Sequence, residues 1–168
     1  MSNFMKTIAV CGATGLQGGT VLRALIKSGT YHVRAITRNP NSDAAKALLS
    51  LSNNVSLHQA DLDNPESLDS ALNGSYGVFI VTDISARKAN KHNQQAFNVI
   101  DSAIKNKLSH IVLSGLDVDD YALAKADLIK YSAVKLCAYY SALMSDFLVR
   151  TGPNSFAFVA PLENKVLN

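Results

Sequence analysis

Residues 6–19 read KTIAVCGATGLQGG, a short apolar run followed by glycines at positions 12, 15 and 18. The apolar run predicts a strand that is covered on both faces, and the residues after the glycines predict an amphipathic helix over 16–28. A glycine loop between such a strand and such a helix is typical of a pyrophosphate-binding turn, because backbone and free helical N–H groups approach the anion closely. The alternative is a strand-to-helix turn that binds nothing.

The same alternation of apolar runs and helical patterns continues along the chain. Helices are predicted over 16–28, 42–51, 65–72 and 86–107, and a further long helix is predicted to end near Arg150. Strands are predicted over 7–11, 31–37, 55–59, 77–81, 110–114 and 155–160. Because each crossover must return the chain to the same edge, the fold class is α/β, a Rossmann doubly wound parallel sheet of order 3-2-1-4-5-6 with helices on both faces.

The end of the second predicted strand selects the cofactor. An NAD site places an Asp or Glu there for the ribose hydroxyls, whereas this chain has Thr37 and Arg38. A guanidinium offers a forked set of donors to a 2′-phosphate, so the pattern favours NADP(H). Arg34 either assists Arg38 or is a solvated charge.

Length and composition set outer limits on function. The chain has 168 residues, 48% hydrophobic and 17% charged, with a net charge of +3. We expect a single NAD(P)-binding domain over 1–168, cytoplasmic, with neither a membrane span nor a signal peptide. Residues 1–60 hold six Lys/Arg against one acid, which favours a small anionic ligand. Nothing forms the basic, aromatic-rich stripe that nucleic acid requires, so no direct nucleic-acid partner is expected.

The two cysteines, Cys11 and Cys137, lie within apolar patterns and lack the CxxC or His-rich surroundings of a zinc site. We interpret both as buried small hydrophobes and predict no metal. A redox-sensing thiol at Cys11, beside the phosphate loop, is the alternative.

The stretches 8–40, 60–83 and 110–117 together resemble the NmrA-like family of atypical short-chain dehydrogenases, which includes negative regulators of nitrogen metabolism and NADPH sensors. The resemblance is strong over 6–117 and looser beyond. It implies a Rossmann fold in which Arg38 holds the 2′-phosphate, Asp61 and Leu62 lie beside the adenine, and Thr82 lies near the ribose. The implied pyrophosphate lining is Gly12, Thr14, Gly15, Leu16 and Gln17, and Gly18 completes the glycine spacing. A turn or helix-entry acid is the alternative for Asp61.

Candidate catalytic residues follow from the chemistry of carbonyl reduction, which needs a Tyr acid, a Lys four residues later and a Ser. Tyr131 and Lys135 have this spacing on a predicted helix, and Ser114 ends the fifth predicted strand. A second match at Tyr121 and Lys125 shows that the spacing alone is not specific. The apolar stripe of the predicted helix points away from Tyr131 and Lys135, so two solvated residues are the alternative. The resemblance aligns Lys135 with a lysine often kept where the tyrosine is absent, and that lysine is a candidate for the nicotinamide ribose.

Three functions remain open. Members of the family continue into a smaller domain that closes over the nicotinamide, and the sequence stops just after the sixth predicted strand. We therefore expect an NADP(H)-binding redox sensor or regulator without efficient catalysis. The alternative is an NADPH-dependent oxidoreductase acting on a quinone or small carbonyl. The third hypothesis is an interaction module, a homodimer or a binder of a regulatory protein, that uses the apolar stripe of the last helix.

Overall fold

The computed structural model describes residues 5–82, 92–114, 119–125, 127–134, 148–152 and 155–158. The chain divides into two compact units, Met1–Lys135 and Leu136–Asn168. The first unit holds strands β1 (Lys6–Val10), β2 (Tyr31–Thr37), β3 (Val55–Gln59), β4 (Gly77–Ile80), β5 (His110–Ser114) and β6 (Lys130–Val134). Its helices are α1 (Leu16–Ser28), α2 (Asp43–Leu49), α3 (Pro65–Leu72), α4 (His92–Lys105) and α5 (Asp119–Ala124).

The six strands of the first unit form one parallel sheet in the order β3-β2-β1-β4-β5-β6. The strand order reverses at β1: β2 and β3 lie on one side of it, and β4, β5 and β6 lie on the other. Val10 of β1 accordingly lies between Ala35 of β2 and Phe79 of β4. The predicted Rossmann class and strand order are confirmed. A doubly wound sheet of this order opens a crevice at the carboxyl ends of its strands.

Apolar side chains cover both faces of the sheet, which explains the unbroken apolar runs. On one face Ala9 of β1 and Cys11, the residue after β1, pack with buried residues of α3 and α4. On the other face Val10 packs with Leu22 of α1 and Leu48 of α2. Because successive residues of β1 point to opposite faces, this one strand contributes to both cores.

Local end signals place α1 and α3 at the predicted residues, while α2 and α4 lie within the predicted ranges 42–51 and 86–107. Gly29 ends α1 in the left-handed conformation at φ 68°, which a glycine adopts without the Cβ penalty. Ser42 caps α2 by accepting from the N–H of Ala45. Asn64 caps α3 by accepting from the N–H of Ser67, and Pro65 occupies the first helical position. These short-range contacts are the ones that sequence patterns specify best.

The sixth strand is not the predicted one. Residues 130–134 form β6 beside β5, with Ser114 opposite Val134, so the helical arrangement predicted for Tyr131 is wrong. Tyr131 and Val134 both favour a strand, and the outer edge of β5 offers them a partner. The segment predicted as the sixth strand contains β8 (Ser155–Phe158), which pairs antiparallel with β7 (Leu148–Gly152). The predicted helix end near Arg150 therefore falls within a strand, and that prediction is wrong.

Val149 and Thr151 are good strand formers, and the Thr-Gly-Pro sequence of residues 151–153, which predicts the end of a helix, is equally a turn signal between two strands. β7 and β8 form a two-stranded sheet within the second unit. Most of the proposed apolar stripe of the last helix lies outside the described residues. No helix in the described parts of the chain is long and apolar enough to cross a membrane.

Candidate dinucleotide site

The candidate binding residues meet at one edge of the sheet. Because all six strands run parallel, the segments that follow β1, β2, β3 and β4 leave from the same side. Those segments carry, in chain order, the glycine loop, Arg38, Asp61 with Leu62, and Thr82, and Thr37 is the last residue of β2. Ser114, the last residue of β5, lies at the same edge. Residues from five strand ends thus lie along one edge of the sheet.

The glycine loop is a tight turn that admits no side chains at its critical positions. Gly12 has φ 61°, and its carbonyl accepts from the N–H of Gly15 at 2.9 Å. A Cβ on Gly18 would lie 2.6 Å from the carbonyl oxygen of Cys11, closer than such atoms approach. Gly18 therefore lets α1 start directly against the end of β1.

The amino terminus of α1 has the features of an anion site. Gly15 is the N-cap and supplies no side-chain acceptor, and the first turn contains no acidic residue. The first N–H groups of a helix lack intrahelical partners and carry a partial positive charge. Thr14, Gly15 and Leu16 are exposed around this end, while Gly18 is buried beneath it. The loop fits a pyrophosphate by shape and by charge.

A recess lies beside Arg38, apart from the glycine loop. It has a volume of about 360 Å³ and is lined by Arg38, Gln59, Ala60, Asp61, Asn64 and Ser67. The side chain of Gln59 donates to the Arg38 carbonyl at 3.2 Å and thus joins the ends of β3 and β2. The recess thus has a guanidinium at its rim, and a guanidinium offers a forked set of donors to a phosphate.

Asp61 has the turn role that the alternative interpretation gave it, and it also lines the recess. Its carboxylate accepts from the N–H of Asp63 at 3.0 Å, and its own N–H donates to the Ser67 hydroxyl at 3.0 Å. Leu62 is half-buried against the apolar core on the sheet face that α3 and α4 cover. The two interpretations of Asp61 are therefore compatible, since a well-ordered turn is what a pocket wall requires.

Arg34 is neither an assistant to Arg38 nor a solvated charge. Its guanidinium donates to the carbonyls of Ala71 at 2.8 Å and Asn73 at 2.6 Å, at the carboxyl end of α3. Cations stabilise that end of a helix by pairing with its unsatisfied carbonyls. Burial lowers the pKa of Arg34 and, with the nearby guanidinium, that of His58. Both alternatives given for Arg34 are wrong, and its role is structural.

Gln17 connects the glycine loop to the opposite side of the crevice. Its side-chain amide donates a hydrogen bond to the hydroxyl of Ser114. Both side chains are half-buried, and Thr82, which follows β4 between them in the sheet order, is half-buried as well. The Ser114 oxygen thus accepts from Gln17, and no acceptor for the Ser114 hydrogen is found among the residues that the structure describes.

The structure does not bring Tyr131 next to Ser114. Ser114 lies opposite Val134, and Tyr131 lies opposite Ile111, three residues toward the amino end of the strands. Three residues of strand correspond to about 10 Å. Tyr131 is partly buried and packs against the apolar core on the sheet face that α3 and α4 cover. Lys135 lies outside the described residues. The roles given to Tyr131 and Lys135 stay predictions.

The second Tyr-x-x-x-Lys match is used for packing between helices. The Tyr121 hydroxyl donates to the Asp101 carboxylate at 2.8 Å, Lys125 lies 3.6 Å from the same carboxylate, and the Tyr121 ring stacks on Phe97. Burial, and next the hydrogen bond to Asp101, raise the pKa of Tyr121. Tyr121 therefore stays a neutral phenol that fastens α5 to α4.

Cys11 is fully buried, and burial raises its pKa to about 12. A thiol with such a pKa is almost entirely protonated at neutral pH and reacts poorly. The buried-hydrophobe interpretation of Cys11 holds, and the redox-thiol alternative is wrong. Cys137 lies outside the described residues.

Two functional candidates escaped the sequence analysis. Asn98 and Gln95 of α4 bond to the turn that follows β3, with Asn98 donating to the Leu62 carbonyl at 2.9 Å and Gln95 to the Asp63 carboxylate at 3.1 Å. The sequence signal for them is a polar stripe at helical spacing, continued by Ser102 and Asn106, beside the apolar stripe of the same helix.

Comparison with known proteins agrees with this description. The model of the NmrA-like family matches residues 5–132. The NmrA-like family domain-containing oxidoreductase notA' of Aspergillus versicolor is 47% identical over 77 residues, which are 46% of this chain and 21% of that protein. The corresponding oxidoreductase hkm9 of Aspergillus hancockii is 37% identical over 113 residues, 65% of this chain and 33% of its own.

Two solved structures share the fold. The NADPH-dependent quinone oxidoreductase QOR2 of Escherichia coli, complexed with NADPH, has a TM-score of 0.68 and 24% identity over 82% of this chain and 51% of its own. The negative transcriptional regulator NmrA in complex with NADP has a TM-score of 0.63 and 24% identity over 77% of this chain and 44% of its own. The chain thus spans a fifth to a third of these curated relatives and about half of these structures.

Proposed function

Because this chain belongs to the NmrA-like family, we propose that it binds NADP(H) in the crevice and acts as a redox sensor or regulator without efficient catalysis. The glycine loop and the Arg38 recess together carry this proposal. One is shaped for a pyrophosphate and the other has a guanidinium at its rim, and both lie at the same edge of the sheet. A dinucleotide with a 2′-phosphate is the common ligand that needs both.

The assignment of residues follows the path of such a ligand. The pyrophosphate lies on the loop formed by Gly12, Thr14, Gly15, Leu16, Gln17 and Gly18. Arg38 and Thr37 hold the 2′-phosphate, Asp61 and Leu62 form the wall beside the adenine, and Thr82 lies near the ribose. The bound nicotinamide would supply a hydride donor or acceptor. The residues described above bind and orient it.

The position of Tyr131 is the main argument against efficient catalysis. A carbonyl reductase needs its acid and its serine around one carbonyl oxygen, within hydrogen-bonding reach. Here the two side chains start about 10 Å apart along neighbouring strands. This separation suits a protein that reports cofactor state better than one that transfers hydride rapidly.

Calorimetric titration of the chain with NADPH, NADP and NADH tests the proposal. We expect both phosphorylated forms to bind more tightly than NADH. Arg38→Ala should weaken only those two, by about 10- to 100-fold, because a lost charge-assisted hydrogen-bond pair costs about 1.5–3 kcal/mol. Lys27→Ala is the matched control, since it removes the same charge from the far end of α1. Absence of binding by NADPH and NADP would refute the proposal.

A second candidate function is that of an NADPH-dependent oxidoreductase acting on a quinone or a small carbonyl. The observation in its favour is Ser114, whose oxygen accepts from Gln17 and whose hydrogen, within the described part of the chain, has no acceptor and would be donated to a carbonyl oxygen. Consumption of NADPH with a panel of quinones and carbonyls discriminates the two functions. If turnover is seen, Ser114→Ala should reduce kcat at least tenfold, and an unchanged rate in Tyr131→Phe would remove Tyr131 from the mechanism.

A further inference from the structure

The turn of residues 61–64, which joins β3 to α3, is held by side chains from a helix that is distant in sequence. The Asn98 amide donates to the Leu62 carbonyl at 2.9 Å, and the Gln95 amide donates to the Asp63 carboxylate at 3.1 Å. Both partners lie more than 30 residues earlier in the chain. Helix α4 therefore fixes the turn at two adjacent points.

This turn is a wall of the recess beside Arg38. Asp61 and Asn64, its first and last residues, line the recess, and Leu62 and Asp63 connect them. The contacts from α4 are made to the two connecting residues, while Ser67 of α3 contacts both ends: its hydroxyl accepts from the Asp61 N–H, and its own N–H donates to the Asn64 side chain. Held from both helices, the wall has a defined position before any ligand arrives.

Burial indicates that the amide of Gln95 serves the turn rather than the packing of α4. Gln95 is only 6% exposed, although it is polar. Its Oε1 is buried and makes no hydrogen bond in the described part of the chain, so the side chain is costly to bury. The bond to Asp63 is what an apolar residue at this position could not provide.

We propose that Asn98, assisted by Gln95, is a positioning residue that sets the turn of residues 61–64 against the base of the bound dinucleotide. This inference rests on the proposed function. The base is the part of the ligand that meets this turn, because the pyrophosphate on α1 and the phosphate on Arg38 place the adenosine end of the ligand in the recess beyond them. Neither amide lines that recess, and both act through the backbone and carboxylate of the turn.

The packing of α4 on α3 has its own contacts farther along the stripe, and these provide a control. The Ser102 hydroxyl donates to the Asp69 carboxylate at 2.7 Å, and the Asn106 amide donates to the Asp69 carbonyl at 3.2 Å. Asn106, the residue after α4, therefore makes the same kind of amide-to-carbonyl bond, but to α3 and away from the recess.

The experiment compares Asn98→Ala with Asn106→Ala by titration with NADPH and with its hypoxanthine analogue, which differs only in the base. We expect the wild type to prefer NADPH. Asn98→Ala should weaken NADPH binding about fivefold, the equivalent of one hydrogen bond, and should reduce the preference over the analogue. Asn106→Ala should leave that ratio unchanged. A ratio in Asn98→Ala equal to that of the wild type, or no preference in the wild type, would overturn the inference.

A second readout separates this inference from the proposed function. If the wild type binds no NADPH, the proposed function fails, whereas hydrogen exchange of residues 60–67 in the ligand-free protein still tests the hold on the turn. We expect faster exchange there in Asn98→Ala than in Asn106→Ala, and equal exchange contradicts the inference. Gln95→Leu, which removes only the bond to Asp63, replaces Asn98→Ala if that variant does not fold.

Discussion

The side-chain amide of Gln17, in the first turn of α1, donates a hydrogen bond to the hydroxyl of Ser114, the last residue of β5. The two residues are 97 positions apart in the chain. In the sheet, β4 separates β1 from β5, so this bond crosses the crevice at its centre. It joins the proposed pyrophosphate loop to the hydroxyl on which the alternative function depends.

This bond predicts an energetic coupling between Gln17 and Ser114. In a double-mutant cycle of Gln17→Ala and Ser114→Ala, we expect a coupling of about 0.5–1.5 kcal/mol in the free energy of unfolding, the net contribution of one such bond. Urea denaturation measures it. The matched pair is Thr20→Ala with Ser114→Ala, because the Thr20 hydroxyl donates to Leu16 within the same helix. That pair should be additive, and equal coupling in both cycles would contradict the prediction.

Gly18→Ala should remove both the stability of the loop and cofactor binding. The new Cβ would lie 2.6 Å from the Cys11 carbonyl oxygen, a backbone atom that cannot rotate away. We expect a loss of about 1–3 kcal/mol or more in the free energy of unfolding, together with loss of NADPH binding. Gly29→Ala is the control, since a Cβ there meets nothing within 4 Å. The control should lose about 1 kcal/mol from its left-handed conformation and keep its NADPH affinity.

The parts of the fold that the sequence predicted correctly depend on neighbours within a few residues. Gly12, Gly29 and Pro65 determine their turns or helix ends locally, so their residue types are sufficient signals. Tyr131 was misplaced because helix and strand periodicity are hard to separate in a short apolar run, and the open edge of β5 decided the outcome. Asn98 could not be assigned, because its partner is 36 residues away and only the packing of α4 brings them together.

Arg34 and Arg38 lie four residues apart and should respond to substitution in opposite ways. Arg34→Leu removes the donors that pair with the Ala71 and Asn73 carbonyls, so we expect a loss of about 1–2 kcal/mol in the free energy of unfolding, discounted for partial exposure. Its NADPH affinity should stay within about twofold of the wild type. Arg38→Ala should weaken NADPH binding with little change in stability. Urea denaturation and calorimetry on both variants check this, and weaker NADPH binding by folded Arg34→Leu would contradict it.

The contact between Asp69 of α3 and Lys105 of α4 predicts a pH dependence of stability. Hydrogen bonds from Lys105 and then Ser102 hold the pKa of Asp69 below its ordinary value of 3.8, while the partner raises that of Lys105 above 10.5. A carboxylate with a lowered pKa stabilises the fold at pH values above its unfolded pKa, and this contribution is lost as the pH falls through the folded pKa. The difference in unfolding free energy between the wild type and Asp69→Asn should therefore be constant from about pH 5 to 7 and shrink below 3.8. At the alkaline end the Lys105 contribution persists to its ordinary value of 10.5 and is lost above it. Urea denaturation across this range measures both limits, and a difference that does not change with pH would show that the ion pair contributes nothing to stability.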